Sequence, residues 1–123
     1  MKKLLLYNLK HEKEEQVLEL CSSLHITVIV IKKEDYLESL GALLKIQGTH
    51  RINIPFTGFP FTEEMMIFHN FKEKELDNFL EKYHTKKIGK IDLKAQTTPY
   101  NIEWNSLKIH DELTQENKIM SQM

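Results

Sequence analysis

The chain predicts an α/β fold: two strand-helix-strand-helix repeats forming a small, mainly parallel four-stranded sheet with packed helices. Three observations predict it. The segment Leu6-Tyr7-Asn8-Leu9-Lys10 recurs as Phe68-His69-Asn70-Phe71-Lys72, an offset of 62 residues (68 − 6). The same offset carries Ile26 onto Ile88, Ile29 onto Ile91 and Ile31 onto Leu93. Short apolar runs alternate with stretches of helical period, the pattern of parallel strands joined by right-handed crossover helices. One offset held across two separate apolar segments points to two copies of one unit. The expectation is a single domain, 1–123, with internal halves 1–46 and 64–116 and a packed connector, 47–63. A pseudo-twofold arrangement with the copies edge to edge is the expected topology.

The elements follow in order. Residues 3–9 are a short continuous apolar run, as suits a strand buried on both faces. Residues 10–15 are charged and open a helix, with Glu in its first turn against the positive end of the dipole. Val17, Leu20, Cys21 and Leu24 then give one helical face. Residues 26–31 are β-branched almost throughout and read as the second strand. Asp35 is placed to cap a second helix carrying Leu37, Leu40, Leu44 and Ile46.

The connector holds Gly48, Pro55, Gly58 and Pro60 with Phe56, Phe59 and Phe61 between them. Pro and Gly punctuate it, yet three Phe make it too apolar for a free linker. Ile52 and Ile54 predict a short edge strand, where Pro is tolerated. The second copy opens with a strand over 65–71. A helix follows with Leu76, Phe79, Leu80 and Tyr83 on its buried stripe, then a strand over 88–93. Residues 97–101 form a turn before a last helix carrying Trp104, Leu107 and Leu113. Residues 115–123 are expected to fray.

Composition bounds the function. The 123 residues suit one domain, which buries about two-thirds of its unfolded surface. The 17 basic and 18 acidic residues nearly cancel, which argues against nucleic acid, whose binding is driven by a basic field. Lone Cys21 sits at helical spacing among leucines and reads as a small core hydrophobe. Without a disulfide framework the chain fits a reducing cytoplasm. Met1 to Leu6 imitates a secretory leader, but the apolar run stops at Tyr7-Asn8, and no stretch approaches the length of a membrane span.

No catalytic constellation emerges, so the reading leans away from an enzyme. The six His form no metal-ligand spacing with Cys or with one another, and no Gly-rich phosphate cradle is present. No cofactor is expected. In open parallel sheets ligands gather at the carboxyl ends of strands. Those ends place His69, Asn70, Lys94 and Thr98 as candidates for holding a small anionic ligand, and Asn101 joins them at the N-terminus of the helix that follows. The competing reading makes Asn8 and Asn70 helix caps, has Pro99 hold Thr98 extended, and places Asn101 to cap the helix carrying Trp104. Phe56, Phe59 and Phe61 are candidates for a partner surface or, equally, a cover for one sheet face.

The second copy also resembles a bacterial family of unknown function, number 3783 among the domains of unknown function. The residues that carry the likeness are Met66-Ile67-Phe68, Asn70-Phe71, Glu75-Leu76-Asp77 with Leu80, Ile91-Asp92-Leu93-Lys94-Ala95, and Thr98-Pro99-Tyr100-Asn101 with Trp104. It covers about residues 64 to 116. Asn70 stands where the family commonly has Gly, and Thr97 adds a second Thr before Thr98-Pro99. The resemblance implies no activity, substrate or cofactor. The sequence therefore leads to a bacterial interaction or binding module, with a homodimer or another protein as partner and no membrane. The alternative is a small anionic-ligand-binding domain, with or without enzymatic activity.

Overall fold

The computed structural model describes the backbone of residues 1–122 and side chains up to Lys118. Strand β1 (Lys3–Tyr7) leads to helix α1 (His11–Ser23) and strand β2 (Thr27–Val30). A short helical turn at Lys33–Asp35 precedes helix α2 (Leu40–Leu43). After the connector come strand β3 (Met65–His69), helix α3 (Glu73–Thr85), strand β4 (Leu93–Gln96), a turn at Asn101–Glu103 and helix α4 (Ser106–Gln122).

The four strands form one sheet in the order β2-β1-β3-β4. β1 pairs with β2 in parallel, and β3 with β4 in parallel, but β1 and β3 run antiparallel at the centre. The sheet is therefore mixed, not mainly parallel as the sequence suggested. A parallel junction would need a further crossover, with a helix between the halves. The chain instead re-enters the sheet at the end where it left β2, since Met65 lies opposite Tyr7, and β3 therefore runs against β1.

β1 and β3 are apolar on both faces because they are the inner strands. Leu4 and Leu6 join Met66 and Phe68 in a core with Val17, Leu20, Cys21 and Phe79 of α1 and α3. Leu5 and Tyr7 join Met65 and Ile67 in a second core with Tyr36, Leu40, Leu44 and Ile109. Each buried Leu or Ile contributes about 1.5–3 kcal/mol. Cys21 lies fully inside the first core, and burial pushes its thiol up to about 12.

Other elements depart from expectation. β4 covers Leu93–Gln96 rather than 88–93. Ile88 and Ile91 are buried, but Lys87 and Gly89 take positive φ (55° and 111°), which breaks an extended run. α2 has only four residues and is capped by Ser39, whose hydroxyl accepts from the Ala42 N–H at 3.1 Å, not by Asp35. No strand forms at Ile52 and Ile54. The N–H groups of Ile52 and Asn53 instead donate to the buried Glu38 carboxylate at 2.7 and 2.9 Å. Trp104 precedes α4 rather than riding on it. The helix continues through 115–122, where fraying was expected; Met123 lies outside the described residues.

The buried Tyr7 hydroxyl and Ser106 Oγ share a hydrogen bond of 2.7 Å, joining β1 to the start of α4. Tyr7→Phe leaves Ser106 without its partner and should cost about 1–3 kcal/mol. Adding Ser106→Ala should then cost much less than it does in the wild type, which a double-mutant cycle by urea denaturation would read.

Candidate functional site

The antiparallel junction puts the strand ends of the two halves at opposite ends of the sheet. The carboxyl ends of β1 and β2 lie at one end of the sheet and those of β3 and β4 at the other, since Lys3 pairs with His69 and Tyr7 with Met65. An open depression of about 390 Å³ sits at the β3/β4 end. His69, Asn70 and Thr98 line it together with Phe71, Thr97 and Pro99.

Lys94 is not there. Its register partner is Met66, so its side chain lies on the α1/α3 face of the sheet, two residues before the strand ends. Asn101 is buried beneath the turn and outside the depression's lining. Its Oδ1 accepts from the Thr98 N–H at 2.8 Å, and its side-chain amide donates to the Gln96 carbonyl at 3.0 Å. Thr98 Oγ1 accepts in return from the N–H groups of Tyr100 and Asn101. These two residues thus fold the turn, and neither caps α4.

Asn70 has φ of 64° and donates to the Met1 carbonyl at 3.2 Å; Asn8, with φ of 62°, donates to the Phe61 and Glu63 carbonyls. Asn tolerates this left-handed backbone better than most side chains. Both asparagines therefore tie strand ends to neighbouring segments rather than cap the helices that follow. α3 takes its first-turn support from Glu75, whose carboxylate accepts from the Lys72 N–H at 2.9 Å.

His69 Nδ1 and Thr97 Oγ1 lie 2.9 Å apart in a hydrogen bond. Burial, the Lys3 ammonium and the N-terminal amine hold the imidazole below its ordinary pKa. The depression therefore presents a neutral ring near pH 7, and no Lys or Arg lines it.

The three phenylalanines part company. Phe61 stacks on Tyr36 at 4.8 Å and on His110 at 4.0 Å, and Phe56 stacks on Tyr36 at 5.9 Å. Both complete the second core. Phe59 is 97% exposed.

Sequence reasoning missed two polar anchors beside this aromatic stack. Glu38 is buried yet accepts two backbone N–H groups, with Arg51 3.6 Å away. His110 Nε2 meets Glu63 Oε1 at 2.6 Å, a contact that holds the Glu63 carboxyl below its usual range. The partners lie far apart along the chain, and no local spacing announces them. Among the described residues no cluster of His, Cys, Asp and Glu could hold a metal ion, and no helix is long and apolar enough to cross a membrane.

The fold and site thus define an α/β chain with a mixed four-stranded sheet and a shallow uncharged depression. Its second half, residues 64–120, matches the family described as Domain of unknown function (DUF3783). The match takes in β3, α3, β4 and most of α4. No curated protein and no solved structure matches the chain.

Because the His69 pKa is depressed in the folded state, folding disfavours its protonation. Stability should fall as pH drops below about 6.5 and level off below the folded pKa. Melting temperature against pH should show this step in the wild type and lack it in His69→Gln.

Proposed function

We propose that the chain is a non-enzymatic protein-binding module that docks through the outer face of its connector. One observation carries the reading: Phe59, Ile52 and Ile54 are 97%, 54% and 57% exposed on a segment whose other side is fixed. Glu38 holds the backbone at Ile52 and Asn53, Arg51 pairs with Asp35 at 2.6 Å, and Phe56 and Phe61 are packed below. A preorganised segment with large apolar side chains outward loses little entropy on binding, which favours affinity. Partner chemistry is apolar, supplied by a second copy or by another protein. We also take the chain to be two copies of one unit in a single domain. α1 and α3 have equal length, and positive φ recurs at Asn8 with Asn70 and at His25 with Lys87.

The alternative is a small-ligand domain using the depression. The gathering of His69, Asn70 and Thr98 there favours it. Lys94 lies on the other face of the sheet, so an anion there would lack a cationic partner from the lining. A thermal-shift screen with phosphorylated metabolites and simple anions separates the readings, since a ligand at 100 times its dissociation constant adds about 2.7 kcal/mol.

Phe59→Ser should leave stability within about 0.5 kcal/mol, because the ring is exposed. It should nevertheless abolish self-association in sedimentation velocity at tens of micromolar, or capture of the partner in pull-downs. A wild-type monomer that captures no protein would end this reading.

A further inference from the structure

β4 is an outer strand, and its free edge carries a different chemistry from the connector. The Leu93 N–H donates to Glu64 and the Thr97 N–H to Phe68, so alternate residues face β3. The period of two turns the backbone groups of Lys94 and Gln96 outward. The outward Lys94 N–H and carbonyl are those of an unpaired edge strand, while the Gln96 carbonyl is taken by Asn101.

Beside this edge a groove of about 840 Å³ runs along α3 and continues past Leu80 and Lys94 into a smaller hollow. Its floor is apolar: Leu76, Leu80, Tyr83, Ile88 and Ile91. Its charged rim is entirely basic. Lys87, Lys90 and Lys94 are all exposed, and no carboxylate lines either part.

We propose that this groove receives an extended acidic segment of a partner protein, which adds to β4 as a fifth strand. Strand addition takes its affinity from main-chain hydrogen bonds and its specificity from the side-chain pockets beside the edge. Here the pockets call for apolar side chains alternating with Glu or Asp. Charge sets two β4 edges against pairing with each other, since they would bring lysine against lysine. The groove lies on the α1/α3 face of the sheet, whereas Phe56 and Phe61 of the connector pack into the core on the other face, so it stands independently of the docking surface proposed above.

Fluorescence anisotropy with a library of labelled octapeptides alternating Glu with Val, Ile, Leu or Phe tests this on the full chain. The proposal expects binding that weakens with salt, is lost when a central residue is Pro, and slows amide exchange at Lys94 and Gln96. Lys90→Glu combined with Lys94→Glu should weaken it at least about tenfold and create binding to the matching Lys-Val peptides. Circular dichroism verifies that the variant is folded. The idea is overturned if no acidic peptide binds, if charge reversal changes nothing, or if only phosphatidylserine vesicles bind. In the first two cases the lysines serve simply to guard an exposed edge.

Discussion

The antiparallel pairing of β1 with β3 is the constraint on which the rest depends. Leu5 lies opposite Ile67, with Leu4 and Leu6 facing Phe68 and Met66 across the same ladder. Side chains alternate between faces, so this apolar pair demands cover on both sides. α1 and α3, thirteen residues each, cover one face. On the other face α4 is long, but α2 has only four residues. The connector makes up the difference. Phe56 and Phe61 stack on Tyr36, and His110 closes the stack.

Such a cover must be held down, since a segment without regular structure has no ladder of its own. The buried polar residues explain how. Glu38 takes two N–H groups of the connector, Ser106 meets Tyr7, and Asn101 knits the turn after β4. Among the described residues no buried side-chain polar atom lacks a hydrogen-bond partner. Burying an unpaired polar group costs more than a formed hydrogen bond returns, so these residues fasten the loops to the sheet.

The legible parts of the sequence were those set by period. Val17, Leu20 and Cys21 on α1, and Phe79 on α3, are buried as their spacing indicated. β1 and β3 lie within the apolar runs. β4 was misplaced because Ile88 and Ile91 look like strand residues yet fill the core from an irregular segment. With β4 beginning at Leu93 instead of ending there, Lys94 belongs inside the strand and points to the wrong face for His69. The turn at Thr98 to Asn101 lies where the sequence indicates, but its side-chain hydrogen bonds run within the turn and back to Gln96 of β4, not to α4. The 62-residue offset holds at the positive-φ pairs Asn8/Asn70 and His25/Lys87. It lengthens by four at β4, where Ile67 pairs with Ala95 while Leu5 pairs with Ile29.

The two outer edges of the sheet are related in topology and different in chemistry. β2 turns the backbone of Val28 and Val30 outward, since Thr27 and Ile31 donate to the β1 side. Val30 is nearly half exposed beside a cleft that Arg51 of the connector also lines. β4 turns outward Lys94 and Gln96 beside a lysine-rimmed groove. An unpaired edge with apolar surroundings invites association, whereas lysine on an edge resists it unless the incoming strand is acidic. Both halves place a parallel strand at an edge, and side-chain chemistry alone makes those edges unequal. The same strand pattern thus presents two edges of different side-chain chemistry on one sheet.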